Sequence, residues 1–113
     1  MSELARIDAE RSGSRCVVRV VGEIDISNAA EVAREIARSI ATDCDRVVID
    51  LAGTAYLDSS GISLLIRLAE RLRARRQLME LVVPEDSPVR GVLELTGLPQ
   101  VMPVATHLAD PPG

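Results

Sequence analysis

The chain has 113 residues, 47% apolar and 27% charged, with a formal net charge of −4. That length and balance describe one folded domain with its own core and exclude a chain disordered throughout. Mild acidity, and Tyr56 as the sole aromatic residue, exclude a nucleic-acid binder that works by phosphate neutralisation or base stacking.

Residues 15–21, Arg-Cys-Val-Val-Arg-Val-Val, are rich in β-branched side chains and predict a strand. Residues 4–9 predict its antiparallel partner across the Arg-Ser-Gly-Ser turn at 11–14. Cys16 lies in that strand, and Cys44 is far from it in sequence. The spacing fits neither Cys-x-x-Cys nor a metal site, so Cys16 is expected as a reduced, buried thiol, and nothing points to a redox role for Cys44. Residues 22–26, Gly-Glu-Ile-Asp-Ile, read as a short connection. Ser27 or Asn28 then caps a helix running to about residue 41. Its Ala29, Val32, Ala33, Ile36, Ala37 and Ile40 follow helical spacing, with Glu31–Arg34 and Glu35–Arg38 as surface pairs.

Residues 46–51 form a continuous apolar run, as in a strand covered on both faces. After a short polar loop, residues 59–76 predict a second helix. Ile62, Leu65, Ile66, Ala69 and Leu72 share one face, which Leu64 and Leu68 widen. Its end carries Arg67, Arg71, Arg73, Arg75 and Arg76 against Glu70 alone. This is favourable charge for a helix C-terminus, with arginine stems covering apolar surface; the other reading is a docking patch for an acidic partner. Residues 78–83 predict a strand ended by Pro84. Ser87-Pro88 opens a third helix with Val89, Val92 and Leu93 inward and a stop at Gly97. Residues 101–104 predict a last short strand, and residues 105–113 a loose tail. Together these elements predict an α/β fold. It is a single domain over residues 1–104, with a mixed, mostly parallel sheet of about four to five strands, helices packed against it and an N-terminal antiparallel hairpin.

No apolar run approaches the roughly 20 residues of a membrane span. The N-terminus, Met-Ser-Glu-Leu-Ala-Arg, has no charged-then-apolar signal pattern, so a cytoplasmic protein without membrane contact is expected.

The chemistry concentrates where the strand at 46–51 leads into Asp58-Ser59-Ser60-Gly61 and the second helix begins. Backbone N–H groups and the dipole at a helix start favour negative charge, so a phosphate on Ser59 is well placed there. Ser59 also fits an ordinary helix cap, Asp58 an acceptor for backbone N–H groups, and Tyr56 a packing residue with its hydroxyl at the surface. Enzyme signatures are absent. There is no Gly-x-Gly-x-x-Gly, Walker A or His-Glu-x-x-His, and Ser59 lacks the Gly-x-Ser-x-Gly frame. The one histidine, His107, adjoins the tail. A serine with no evident base is not an activated nucleophile, so the chain is expected to have no catalytic residue and no metal.

Three blocks resemble the anti-sigma factor antagonists, the stand-alone members of the STAS domain family. They are Val-Val-Gly-Glu-Ile-Asp-Ile-Ser-Asn-Ala at 20–29, Val-Val-Ile-Asp-Leu followed by Leu-Asp-Ser-Ser-Gly within 47–61, and Leu-Glu-Leu-Thr-Gly-Leu at 93–98. The resemblance runs from about residue 4 to 104. It implies a non-enzymatic regulator of transcription acting by partner switching, as in stress responses. The unphosphorylated form binds an anti-sigma factor that is also a serine kinase, which frees the sigma factor. Phosphorylation of Ser59 ends the binding, and a phosphatase reverses it. ATP and Mg would belong to the partner kinase, so the chain itself takes no cofactor. The partner-binding residues implied are Glu23, Asp25, Ser27, Asp58, Ser59, Ser60 and Gly61. Glu23 and Asp25 also fit a helix cap or surface ion pairs. A monomer is the expectation at this size and charge. A second reading makes the chain a STAS subunit of a transporter complex or stress-sensing scaffold, with no phosphoswitch. The sequence departs from the family pattern twice. Arg75-Arg76-Gln77 stands where members carry glycines before the next strand, and the short 104–113 segment abbreviates or omits a further helix.

Overall fold

The structure is a computed structural model and describes residues 4–109. Strands β1 (Ala5–Ser12) and β2 (Arg15–Ile24) form the expected antiparallel hairpin. It closes over Gly13 and Ser14, with Gly13 at φ +61° as so tight a turn requires. The sequence predicts that the second strand stops at Val21, but β2 continues to Ile24. Gly22 permits this. It sits at φ +120°, and a Cβ there would stand 2.0 Å from the Leu4 carbonyl oxygen. The bare backbone lets the chain bulge and continue where a side chain would end the strand.

Helix α1 (Ala29–Ser39), strand β3 (Arg46–Asp50), strand β4 (Thr54–Leu57), helix α2 (Ser59–Ala74), strand β5 (Leu78–Val82), helix α3 (Arg90–Leu95), a 3-10 turn (Leu98–Gln100) and strand β6 (Val104–Ala105) follow. The sheet has six strands in the order β1-β2-β3-β5-β6, with β4 also paired to β2. All pairings beyond the hairpin are parallel. The mostly parallel α/β class is therefore as expected, with β4 added where the sequence reads as loop. β3 pairs with Arg15–Arg19 of β2 and β4 with Gly22–Ile24, so the two are consecutive pieces of one edge. The break between them is a turn in which the Thr54 N–H donates to the Leu51 carbonyl (3.0 Å). The buried Thr54 hydroxyl donates to the Val20 carbonyl at 2.7 Å. Four residues are too few for alternation to show in the sequence. β4 forms because the extended end of β2 offers unpaired backbone groups.

The main core lies between the sheet and the helices. Val18, Val20, Val47, Ile49 and Leu81 meet Val32 and Ile36 of α1 and Leu65, Leu68 and Leu72 of α2. Ile66, placed on the inner face by its spacing, is exposed, because Leu64 and Leu68 swing the buried face of α2 away from it. In the short α3, Val89 and Leu93 turn inward as expected but Val92 does not. The opposite sheet face is a small cluster of Val17, Val48 and Val82, with Leu108 packed on it. The Arg15 Nη1 donates to the Ala109 carbonyl at 2.8 Å, so residues 108 and 109 of the predicted loose tail lie against the sheet. Residue 105 belongs to β6, and residues 110–113 of that tail lie outside the described residues.

Cys16 is buried, as expected, but it is not a free thiol: its sulfur is bonded to that of Cys44, with the Cα atoms 6.3 Å apart. Sequence distance hides the pairing. Parallel pairing of β2 with β3 sets Cys16 beside Val47, and the Asp45 N–H donates to the Ser14 carbonyl (2.9 Å), which brings the α1–β3 loop to the start of β2. At the same corner Arg11 grips Asp43 with both Nη atoms at 2.7 and 2.9 Å. The ion pairs expected within α1 do not form. Those found among the described residues join Arg11–Asp43, Arg19 with Glu10 and Asp50, Arg46–Glu80 and Arg90–Glu94. Where the family pattern has glycines, Arg76 itself takes the left-handed conformation at φ +62° and closes the turn from α2 into β5.

Candidate functional site

Two loops meet at the carboxyl end of the sheet. In the β2–β4 pairing Glu23 faces Tyr56 and Ile24 faces Leu57, and the Asp58 N–H donates to the Ile24 carbonyl (3.4 Å). Residues 25–28 leave β2 and residues 58–61 leave β4 side by side. All seven residues expected to bind a partner therefore share one end of the molecule. Glu23 lies at the end of β2 and Asp25 and Ser27 in the turn after it, while Asp58 caps α2 and Ser59, Ser60 and Gly61 form its first turn.

The first loop is tied to itself. Asp25 Oδ1 accepts from both the N–H and the hydroxyl of Ser27. The Asp25 carbonyl accepts from the N–H groups of Asn28 and Ala29. The Ser27 hydroxyl, then the Ser27 N–H, hold the Asp25 carboxyl below the usual carboxylate range. Asn28 occupies the cap position of α1, but neither it nor Ser27 caps the helix through its side chain. The buried Asn28 amide reaches backwards instead. Its Oδ1 accepts from the Asp25 N–H at 2.9 Å, and its Nδ2 donates to the Glu23 carbonyl at 2.8 Å. Asn28 is thus a site residue that sequence reading assigns only to the helix. Its reach to Glu23 depends on β2 running on to Ile24, which leaves no local signal in the sequence. On the other side the Glu23 N–H donates to the Leu4 carbonyl at 2.8 Å, which anchors the loop to the start of β1.

The second loop opens α2. Asp58 is the cap: its Oδ1 accepts from the N–H groups of Ser60 (2.8 Å) and Gly61 (3.4 Å). Ser59 follows at the first helical position, exposed to solvent. The negative charge that a helix start favours is supplied here by Asp58, which holds the N–H groups of Ser60 and Gly61. Gly61 is buried. A Cβ on it would lie 2.1 Å from Leu57 Cδ1 and 3.3 Å from Ile24 Cγ2, so glycine lets the first turn of α2 settle onto the ends of both strands. Tyr56 is half exposed, and Ile26 is 84% exposed. Among the described residues no three His, Cys, Asp or Glu side chains stand together as a metal site. His107, at hydrogen-bond distance from Thr106, sits on the segment after β6.

A profile of the STAS domain matches residues 6–110. The chain belongs to the STAS domain family. BtrV of Bordetella bronchiseptica, a candidate anti-sigma factor antagonist, is 34% identical over 85 residues, which is 74% of this STAS domain chain and 72% of BtrV. The crystal structure of an anti-sigma factor antagonist from Mycobacterium paratuberculosis is similar with a TM-score of 0.81 at 28% identity, over 92% of this chain and 87% of that one. SpoIIAA in its unphosphorylated form gives a TM-score of 0.68 at 22% identity over 90% of each chain. Bacillus SpoIIAA in the phosphorylated form gives 0.59 at 21%, over 90% of this chain and 93% of that one. At those identities the likeness to SpoIIAA is one of fold. No helix among the described residues is long and apolar enough to cross a membrane.

Proposed function

We propose that this STAS domain is an anti-sigma factor antagonist switched by phosphorylation of Ser59. Unphosphorylated, it binds an anti-sigma factor with serine kinase activity through the 22–28 and 58–61 loops, and so releases a sigma factor. Phosphorylation breaks that complex, and a phosphoserine phosphatase restores it. The chain performs no catalysis. It supplies the Ser59 hydroxyl, while ATP and its metal ion come with the kinase. Transcriptional control in the cytoplasm follows from this reading.

The observation that carries the proposal is the placement of Ser59: exposed, at the first position of α2, directly after an aspartate that has filled the helix cap. A phosphate adds about −1.5 to −2 charges at neutral pH. The dipole of α2 keeps that charge from unfolding the helix start. Because Asp58 holds the N–H groups of Ser60 and Gly61, the phosphate is not drawn into the cap and stays on the surface. There it joins Asp58 and the carboxylates of Glu23 and Asp25 on the adjoining loop. A partner shaped for a neutral hydroxyl would have to desolvate this concentrated negative charge, and a loss of about 3 kcal/mol, over a hundredfold in affinity, is the expected scale.

The test is a paired pull-down from native-host lysate with Ser59→Ala and Ser59→Glu as baits. The expected result is an ATP-binding protein retained by the first and lost from the second, which phosphorylates wild type but not Ser59→Ala. If both baits retain the same transporter or scaffold subunits, the domain serves a STAS assembly and the phosphoswitch is wrong.

A further inference from the structure

We propose that the groove between α1 and α2 receives an acidic helical segment of the anti-sigma factor kinase, and so holds Ser59 in place for phosphorylation. This rests on the function proposed above and adds a docking surface outside the two loops.

The groove has a volume of about 530 Å³ and opens at the same end of the molecule as Ser59, beside Ile26 and Ser60. Its α1 wall is low because it is built from Ala29, Ala30 and Ala33. Leu64 and Leu68 make an apolar floor. The α2 wall carries Ser63, Arg67 and Arg71, spaced four apart in a straight row. That row is about 12 Å long at a rise of 1.5 Å per residue, enough for two turns of a partner helix.

Charge selects the occupant. The protein is acidic overall, yet Arg67 and Arg71 are neighbours on one helix face and neither is among the ion pairs of the described residues. Like charges at this spacing destabilise an isolated helix slightly, so carboxylates placed opposite them relieve a repulsion as well as adding an attraction. Ile26, 84% exposed at the mouth, is a large apolar side chain with no cover of its own. An apolar floor, one low wall, one cationic wall and an apolar residue at the head match a helix with an apolar stripe edged by Asp or Glu. Nucleic acid would bring negative charge too, but the groove offers no aromatic platform and the net charge of −4 opposes it. Ser59 is at the start of the same helix that forms the cationic wall. A kinase segment seated there fixes the distance from docking site to acceptor hydroxyl.

The experiment uses the ATP-binding protein retained by Ser59→Ala, with calorimetric affinity measured for wild type, Arg67→Glu/Arg71→Glu, Ala30→Trp and the control Arg73→Glu/Arg75→Glu. All four substituted side chains of the two arginine pairs, and Ala30, are exposed, so melting temperatures should stay close to wild type. The groove predicts at least tenfold weaker binding and slower phosphorylation for the charge reversal and for Ala30→Trp, little change for the control, and steeper loss with salt for wild type than for the reversal. Unchanged affinity in both groove variants, or an equal loss in the control, overturns the docking proposal while leaving the phosphoswitch standing. Failure of Ser59→Ala to retain any ATP-binding protein removes both.

Discussion

Ser59 is conspicuous in the sequence because its motif sits between a strand-like run and a helical period; what the motif leaves hidden is how the neighbouring side chains divide the hydrogen bonds. Asp58 takes the cap, and the Asn28 amide spans Asp25 and Glu23. The sequence already offers Asp58 as an acceptor for backbone N–H groups, and it is one. The role of Asn28 is not legible there, since Asn28 can reach Glu23 only once β2 runs on to Ile24. Replacing Asn28 with alanine strands the Asp25 N–H and the Glu23 carbonyl. Unfolding in urea should show a loss of about 1–3 kcal/mol, and kinase binding should weaken because this bridge holds the turn that carries Asp25 and Ser27. Asp25 gives a second test. Its carboxyl is held below the ordinary range, chiefly by the Ser27 hydroxyl, so its contribution to stability is present above the unfolded-state value and is lost as the pH falls through the folded-state value. The 25–28 turn should therefore stay intact at neutral pH and loosen only in acid below the ordinary aspartate range. In Ser27→Ala, a carbon-detected NMR titration should find the Asp25 midpoint moved back up; an unmoved midpoint would show that the serine is not its cause.

Among the elements, the hairpin, the first two helices and the strands at 46–50 and 78–82 are legible because each carries a full period of apolar residues. The third helix is legible only in part, since the expected start at Ser87-Pro88 is a turn and α3 begins at Arg90. β4 is not, having only four residues and taking its partner from a strand that a glycine extends. Gly61 ties that hidden strand to the helix carrying Ser59. Its alanine variant must push Leu57 aside or lift the first turn of α2. An overpacked contact of this kind costs about 1–3 kcal/mol, readable as a lower denaturation midpoint together with faster amide exchange at Ser60 and Gly61. Arg76 is the converse case. A non-glycine residue at φ +62° carries strain that glycine would lack, so Arg76→Gly should leave stability unchanged or raise it by up to about 1 kcal/mol in a thermal melt. The family's glycines at this turn thus have a local steric reason, and this chain departs from them by accepting the left-handed arginine.

Taken whole, the molecule is held differently at its two ends. The end away from Ser59 is fixed by the Cys16–Cys44 bond and by the Arg11–Asp43 pair beside it. Pairing of the cysteines depends on strand order, which composition does not reveal, and so the expectation of a free thiol fails while that of burial holds. In the chain-entropy picture a cross-link spanning 28 residues stabilises a domain by about 3–4 kcal/mol. Reduction should therefore lower the melting temperature by about 10 °C or more, a shift that Cys16→Ala/Cys44→Ala should reproduce without reductant. The end bearing Ser59 has no such staple, and there the Leu4 carbonyl meets the Glu23 N–H. That contact has a practical side. Whatever is spliced ahead of residue 4 departs next to the 22–28 loop, whereas Ala109 lies beside Arg15 at the far end of β2. A bait tethered through its front would crowd its own switch, and one tethered through its rear would present it.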